Sequence, residues 1–156
     1  YPGMKVLQFA FGSGSDNEYL PHNYTPNSVV YTGTHDNETL MQYLECTEEH
    51  VRNHIREYMN RPHASNEELC ENLIWMAMSS VGKYCMIPLQ DYLGLGKEAR
   101  MNYPSTLGHN WEWRVRKEQL THDLAGYIAH MTGLSYRWRI DPPKEEETNE
   151  TDTENE

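Results

Sequence analysis

The apolar residues near the start of the chain form two short, nearly continuous runs. The first covers residues 5–11 ("KVLQFAF") and is closed by Gly12, and the second covers residues 28–32 ("SVVYT") and is closed by Gly33. Such runs predict strands that are buried on both faces. The polar segment 12–27 between them has no helical periodicity, and loops of this length are usually functional.

After the second run the apolar residues take helical spacing. Residues 38–44 predict a short helix, and "SNEE" at 65–68 predicts a capping box at the start of a longer one. Two other helices are predicted from apolar stripes: Val51, Ile55, Tyr58 and Met59, with Thr47 as the cap, and Leu120, Leu124, Ile128 and Met131, ending near Gly133. Two strands followed by many helices indicate part of an α/β protein, because two strands cannot close a parallel sheet.

The charge of the chain is unevenly distributed. The 156 residues carry a net charge of −11, and residues 141–156 ("DPPKEEETNETDTENE") hold eight acidic residues and one lysine. This segment has no apolar residue to bury, so we predict a disordered acidic tail at 141–156 after a folded part at 1–140. The chain offers no basic face for phosphates, which argues against a nucleic-acid partner.

Composition also bears on location. No apolar run approaches membrane-spanning length, and nothing near Tyr1 resembles a signal peptide. The three cysteines, Cys46, Cys70 and Cys85, lack CxxC spacing, which favours reduced, mostly buried thiols and a cytoplasmic location. Because the chain begins with tyrosine rather than methionine, it is also compatible with a piece of a longer polypeptide.

His50 and His54 have the spacing of zinc ligands on a helix. Val51 stands where a zincin has glutamate, and no third ligand is evident, so no metal site is predicted. "WEWR" at 111–114 fits core packing, a sugar-stacking platform, or both; packing is favoured for Trp113 and stays open for Trp111.

The segment "GTHDN" at 33–37 carries the clearest chemistry. It follows the second predicted strand, and reactive groups of α/β sheets collect at the carboxyl ends of strands. Asp36 could stabilise an oxocarbenium-like transition state there, with His35 donating a hydrogen bond to a sugar hydroxyl. Alternatively, Asp36 or Asn37 simply caps the helix that begins at Glu38. Spacing alone leaves both interpretations open.

Five blocks of sequence resemble the 4-α-glucanotransferases of the amylomaltase (disproportionating enzyme) family. They are "YPGMKVLQFAF", "LPHNY", "VVYTGTHDNETLM", "PLQDYLGLGKEARMN" and "NWEWRV", in the family's order between residue 1 and about residue 137. The resemblance implies an α/β fold, the carboxyl-terminal part of a (β/α)8 TIM barrel with helical insertions. The two predicted strands would be the last two of that barrel, and the chain would be mostly helical.

The resemblance also implies roles for residues. Asp36 corresponds to the aspartate that stabilises the transition state of a retaining mechanism, and His35 to a contact with the sugar. Phe9 resembles an aromatic residue near the acceptor side, and Asn102 and Pro104 lie in a block beside the donor-side subsites. The family's nucleophile and acid/base precede the "PGM" block, so neither is expected in this chain.

The implied activity is transfer of an α-1,4-glucan segment to the 4-hydroxyl of another glucan or glucose, without a metal or cofactor. The partners would be malto-oligosaccharides and the missing amino-terminal part of the same enzyme. The alternatives are a truncated, non-catalytic glucan-binding chain and an α-glucan hydrolase.

Two positions depart from the family pattern. Ser105 stands where the family has glycine after proline, and "GHNW" at 108–111 replaces "EGNW", which puts His109 in the place of a glycine. A serine at a position that needs a positive φ costs roughly 1 kcal/mol if that conformation is kept. We therefore expect the loop around Asn102 to differ in shape or to carry strain.

Overall fold

The computed structural model describes residues 1–137. Its strands and α-helices are, in chain order, β1 (Gly3–Val6), β2 (Ser28–Tyr31), α1 (Leu40–Cys46), α2 (Glu49–Tyr58), α3 (Asn66–Met78), β3 (Tyr84–Met86), α4 (Leu89–Tyr92) and α5 (His122–Leu134). Short 3-10 turns lie at Leu7–Phe9, Pro21–Asn23, Lys97–Ala99 and Lys117–Gln119. The predicted acidic tail at 141–156 is outside the described residues.

The three strands form one parallel sheet in the order β1-β2-β3. Val6 pairs with Tyr31, and Tyr31 pairs with Met86, so the strands end almost level with one another. Because parallel strands bring their carboxyl ends to the same edge, the segments that leave β1, β2 and β3 start side by side. This edge of the sheet positions the candidate site.

The third strand corrects the prediction from sequence. β3 follows β2 in the chain and in the sheet, so the two predicted strands are the first and second of three rather than the last two. β3 is only three residues long, and two of them, Tyr84 and Met86, are exposed. Three mostly exposed residues give no hydrophobic pattern that predicts a strand. They form one because they pair with Val29–Tyr31.

The first predicted strand is also shorter than expected. The chain leaves the sheet after Val6, and Leu7–Phe9 forms a 3-10 turn whose Leu7 is fully buried. The apolar character of this run therefore reflects the burial of Val6, Leu7, Ala10 and Phe11 rather than continued strand pairing, while Phe9 is half exposed. Leu7, Phe11 and Val30 join side chains of α1, α2 and α3 in one hydrophobic core.

Helix starts follow the sequence in one case and differ in two others. The capping box is confirmed, since Ser65 Oγ accepts from Glu68 N and the Glu68 carboxylate accepts from Ser65 N. Helix α1 begins later than predicted, and its cap is Thr39, whose Oγ1 accepts from Gln42 N at 3.2 Å. The prediction that Thr47 caps α2 is wrong, because the N-cap is Glu48 and its side chain makes no capping bond.

The cysteines are less buried than predicted. Cys70 is buried and Cys85 is intermediate, but Cys46, at the end of α1, is exposed. All three thiols are free. Within residues 1–137, no helix is both long enough and apolar enough to cross a membrane.

Candidate active site

The segment 33–39, which leaves the middle strand β2, is called here the Asp36 segment. Its turn is closed by Asn37, whose Oδ1 accepts from the Thr34 amide at 2.9 Å and from the Thr34 hydroxyl at 2.8 Å. Gly33 at its start leaves room for the Gln8 side chain, because a Cβ there would lie 2.6 Å from Nε2 of Gln8. Since the cap of α1 is Thr39, neither Asp36 nor Asn37 serves as the helix cap.

The Asp36 carboxylate faces an amide and an imidazole. Asn102 donates from Nδ2 to Oδ1 of Asp36 at 2.6 Å, and His35 Nε2 lies 3.4 Å from the same oxygen. The side chains of His35 and Asp36 are 56% and 49% exposed, so both can reach a ligand. Asn102 also donates its backbone N–H to the carbonyl of His35 at 3.1 Å, which joins the two segments directly.

Arg100 holds this arrangement from one side. Its guanidinium donates to the carbonyl of Asp36 at 2.8 Å, to the carboxylate of Glu38 at 2.6 Å and to the carbonyl of Asn102 at 3.0 Å. The planar fork of arginine suits several acceptors in fixed directions. The Arg100 side chain is only 10% exposed, and it also lies over the Tyr103 ring at 4.3 Å.

An exposed indole stands beside the imidazole. The rings of His35 and Trp111 lie 5.0 Å apart with 41° between their planes, and Trp111 is 48% exposed. The backbone N–H of Trp111 donates to the carbonyl of Met101 at 2.6 Å, which closes the loop 101–111, called here the Asn102 loop. An exposed aromatic face next to polar groups is suited to stacking against a sugar ring.

Several residues of the Asn102 loop have a left-handed backbone conformation. Ser105, His109 and Trp111 have φ values of 63°, 54° and 65°, and Gly108 has 78°. Thr106 N donates to the Tyr103 carbonyl, which gives a turn with Pro104 and Ser105 in its centre, as in a type II turn. Ser105 therefore has the positive φ considered for it above, and His109 has one as well; glycine would adopt both conformations at a lower steric cost.

A buried carboxylate lies beneath the Asp36 segment. Asp91, on α4, accepts from the Thr32 hydroxyl at 2.6 Å and from the Leu40 amide at 2.8 Å. Burial raises the pKa of Asp91 to about 6, while these two hydrogen bonds oppose the rise. Gln8 lies nearby and donates from Nε2 to the carbonyl of Glu38 at 2.8 Å.

Two cavities adjoin the site. The larger has a volume of about 1190 Å³ and includes Gly33, His35, Tyr84 and Met86 in its wall. The smaller has a volume of about 200 Å³, and its wall includes His35, Asp91 and Arg100. The imidazole of His35 thus faces both an open groove and the pocket under the Asp36 segment.

The structure brings together some of the predicted site residues but not all of them. His35, Asp36 and Asn102 form one hydrogen-bonded cluster, and Pro104 is exposed on the adjoining turn. Phe9 is half exposed and packs edge-to-face on Tyr19 at 5.5 Å. Among residues 1–137, no hydrogen bond or ring contact connects Phe9 with Asp36.

Sequence reasoning missed Arg100, Asp91 and Gln8. Arg100 and Asp91 lie in the family-like block "PLQDYLGLGKEARMN", but nothing in that block indicates their hydrogen-bond partners. Arg100 bonds to a residue 64 positions away, and Asp91 to one 59 positions away. A charged residue beside the "MN" dipeptide was the one available signal for Arg100.

The two histidines with zinc-like spacing have other contacts. Nδ1 of His54 lies 3.0 Å from the Phe11 carbonyl, and Nδ1 of His50 lies 3.1 Å from the Glu48 carboxylate. Across residues 1–137, no group of three histidine, cysteine, aspartate or glutamate side chains could hold a metal ion.

A parallel sheet whose carboxyl edge carries a carboxylate, an imidazole, an amide and an exposed indole is typical of α/β enzymes that act on polar substrates. Comparison with known proteins identifies the family. The profile of the 4-alpha-glucanotransferase family matches residues 1–121, and the chain belongs to that family.

Relatives from plants and bacteria agree with this result. The chain is 46% identical over 114 residues to the chloroplastic/amyloplastic 4-alpha-glucanotransferase of Solanum tuberosum, covering 73% of this chain and 19% of that protein. It is 44% identical over 135 residues to the 4-alpha-glucanotransferase of Clostridium butyricum, covering 86% of this chain and 27% of that protein.

A solved structure has the same fold. The amylomaltase from Streptococcus agalactiae in complex with acarbose superposes with a TM-score of 0.82 at 33% identity, covering 89% of this chain and 28% of that one. The chain thus corresponds to an α/β portion of a larger enzyme. It spans only 19% to 28% of the length of these relatives.

Proposed function

We propose that this chain is the carboxyl-terminal part of the catalytic barrel of a 4-α-glucanotransferase. The complete enzyme cleaves an α-1,4-glucan and transfers the released segment to the 4-hydroxyl of an acceptor glucan or glucose, with retention of configuration. The observation that carries this proposal is the Asp36 carboxylate at the end of the middle strand, half exposed and hydrogen-bonded by Asn102 at 2.6 Å. Membership of the family supports it.

Asp36 stabilises the transition state in this proposal. Positive charge develops on the sugar ring as the glycosidic bond breaks, and a fixed carboxylate nearby lowers the energy of that state. The Asn102 amide and the Arg100 contact to the Asp36 backbone fix the carboxylate before the reaction begins. Such preorganisation matters because the site does not then have to reorganise as charge develops.

The neighbouring side chains bind the sugar. His35 donates a hydrogen bond to a sugar hydroxyl, and the exposed indole of Trp111 beside it offers a stacking face. Asn102 and Pro104 lie along the donor side of the groove, and Phe9 lies farther away toward the acceptor. Half-exposed aromatic rings at both places are compatible with a groove that binds several sugar units.

The nucleophile and the acid/base belong to the part of the enzyme that precedes this chain. Retaining chemistry needs a carboxylate pair in addition to the stabilising one. Two carboxylates next to the Asp36 segment are otherwise engaged, since Glu38 is paired with Arg100 and Asp91 is buried. The isolated chain is therefore expected to be inactive.

The outer strands of the sheet support a longer barrel. β1 and β3 are edge strands of the described sheet, and Met4, Tyr84 and Met86 on them are more than half exposed. Unpaired parallel edges with exposed apolar side chains need partners, which the remaining strands of a barrel would provide.

Location and cofactors complete the proposal. Three free cysteines suit a reducing compartment, and we place the enzyme in the cytoplasm. The mechanism uses carboxylates alone and needs neither a metal nor an organic cofactor.

Maltotriose disproportionation tests this function. The full-length polypeptide that contains this chain should convert maltotriose into glucose and longer oligosaccharides, whereas the 156-residue chain alone should not. Asp36→Asn in the full-length polypeptide is the control for the active site, and the ratio of transfer to hydrolysis follows from the product lengths.

Three results would contradict the proposal. Inactivity of the folded full-length polypeptide would show that the family activity is absent. Glucose and maltose without longer products would favour an α-glucan hydrolase. Disproportionation by the isolated chain, surviving re-purification, would mean that its own carboxylates supply the missing pair.

A further inference from the structure

We propose that Asp91 is a positioning residue of the reaction: its carboxylate fixes the Asp36 segment by bridging the two ends of that segment. This inference rests on the proposed function, because it assigns Asp91 a role through Asp36. Asp91 itself is buried beneath the segment and does not reach the groove.

The bridge uses both carboxylate oxygens. Oδ2 accepts from the hydroxyl of Thr32, the residue just before the Asp36 segment, and Oδ1 accepts from the amide of Leu40, the residue just after it. The seven residues between these anchors therefore form a closed loop whose ends are held at a fixed separation. Both distances, 2.6 and 2.8 Å, are in the range of charge-assisted hydrogen bonds.

The burial of this carboxylate calls for a reason. Asp91 is 3% exposed, and among residues 1–137 no ion pair compensates its charge. An unpaired buried carboxylate costs free energy, so two donors arranged on either side of one loop indicate a specific task. A neutral side chain of the same shape would be cheaper to bury but could not accept hydrogen bonds on both sides.

Asp91 is itself held in place by the fold. Helix α4 starts three residues after β3 ends, and the thiol of Cys70 on α3 lies 3.7 Å from the Asp91 carbonyl oxygen. Asp91 thus connects the exit of β3 to helix α3 through its carbonyl and to the exit of β2 through its carboxylate. Gln8, at the exit of β1, adds a further bond by donating to the Glu38 carbonyl.

The experiment uses Asp91→Asn in the full-length polypeptide. Asparagine keeps one acceptor but places an NH2 group against one of the two donors, so one end of the segment is released. We expect kcat for maltotriose disproportionation to fall on the order of 10- to 100-fold, because small displacements of a catalytic group are costly. KM should change little, and amide hydrogen exchange should increase in residues 33–39.

A matched control separates positioning from general stability. Ile55→Ala removes a fully buried side chain of α2 and should lower the melting temperature while leaving kcat unchanged at a temperature where the protein is folded. If Asp91→Asn leaves kcat at the wild-type value, or lowers it no more than Ile55→Ala does, the positioning role is refuted. An inactive wild-type enzyme would instead refute the proposed function.

A second pair of variants covers the case in which Asp91→Asn does not fold. Thr32→Val removes the hydroxyl that donates to Asp91, and Thr32→Ser restores it on a smaller side chain. The proposal expects a kcat loss in Thr32→Val and recovery of most of that loss in Thr32→Ser. Equal kcat values for the two variants would overturn it.

Discussion

The Asp36 segment and the Asn102 loop meet at the same carboxylate but are built in different ways. The Asp36 segment is held by distant parts of the chain, namely Asp91 at its ends, Gln8 at the Glu38 carbonyl and Arg100 at the Asp36 carbonyl. No residue of its backbone has a positive φ value. The conformation of this half of the site therefore depends on hydrogen bonds from distant parts of the chain.

The Asn102 loop is held mainly by its own residues. Asn110 accepts from the Tyr103 amide through Oδ1, and the Thr106 hydroxyl donates to the Tyr103 carbonyl. Three non-glycine residues in this loop have positive φ values, and Leu107 is fully exposed. The loop thus combines left-handed backbone with little burial, and it contacts the rest of the site through Arg100, Asn102 and the ring contact of Trp111 with His35.

This difference suits the two halves of the site to different proposed tasks, charge stabilisation for the Asp36 segment and sugar binding for the Asn102 loop. In the proposed mechanism, charge stabilisation requires a carboxylate that does not move, and the buried hydrogen bonds of Asp91 would hold the segment that carries it. Binding of a flexible chain of sugars tolerates an exposed loop whose shape depends on local turns. We therefore expect changes in the Asp36 segment to alter kcat and changes in the Asn102 loop to alter KM or stability by smaller amounts.

The largest effect is expected from Asp36→Asn. The substitution removes the charge that we propose stabilises the transition state but keeps an oxygen to accept from Asn102, so transfer should fall by roughly 3–4 kcal/mol of activation free energy. The melting temperature should stay close to that of the wild type, because Asp36 is half exposed and does not cap α1. Maltotriose kinetics and thermal unfolding measure the two quantities.

Near-normal activity in Asp36→Asn would remove Asp36 from the catalytic assignment. A large loss of stability with little loss of activity would mean that the carboxylate serves the fold instead.

The second effect is the pH dependence of stability that the buried carboxylate of Asp91 causes. The pKa of Asp91 rises from 3.8 to about 6 on folding, mainly through burial, so the folded state binds a proton more tightly than the unfolded chain does. Asp91 therefore lowers stability as pH increases from about 4 to about 6, by roughly 3 kcal/mol in total. The contribution is absent below the unfolded pKa and is complete above the folded one.

Urea unfolding of the wild type and of Asp91→Asn between pH 4 and pH 7 checks this sign. The difference in unfolding free energy between the two proteins should shift in favour of the variant as pH rises. The neighbouring Cys70 does not titrate in this range, because burial raises its pKa to about 12. A constant difference across the range would show that Asp91 has an ordinary pKa.

These buried bonds mark the limit of what the sequence could predict. The "SNEE" capping box and the strand end at "GTHDN" are local patterns, and the structure confirms the capping box and places Asp36 at the carboxyl end of β2. The short strand β3 and the bonds of Asp91 and Arg100 depend on residues more than 50 positions apart. No local periodicity specifies such pairs, so the sequence predicted the carboxylate at this edge but not what holds it.

The third effect tests whether Arg100 connects the Asp36 segment to the Asn102 loop. Arg100→Lys keeps the charge but loses the fork that bonds Asp36, Glu38 and Asn102 together, and we expect kcat to fall by about 1–2 kcal/mol of activation free energy. Arg52→Lys is the control, since Arg52 also bonds a carboxylate and two carbonyls but lies in α2. Steady-state kinetics should show a kcat loss only for Arg100→Lys, and equal losses would refute the connection.

The smallest effect is expected in the Asn102 loop. Ser105 follows Pro104 in the centre of a turn and has a φ of 63°, a value at which glycine avoids the steric cost of a Cβ. Ser105→Gly should relieve about 1–2 kcal/mol of strain in the folded state, offset by about 0.4–1 kcal/mol of extra entropy in the unfolded chain. The net gain in unfolding free energy is then about 0.5–1 kcal/mol, with kcat unchanged and at most a small change in KM. Ser105→Ala keeps the Cβ and removes only the hydroxyl, so it should show no gain. Urea unfolding of the three proteins measures the difference, and a stability of Ser105→Gly at or below that of Ser105→Ala would mean that the loop is not strained at this position.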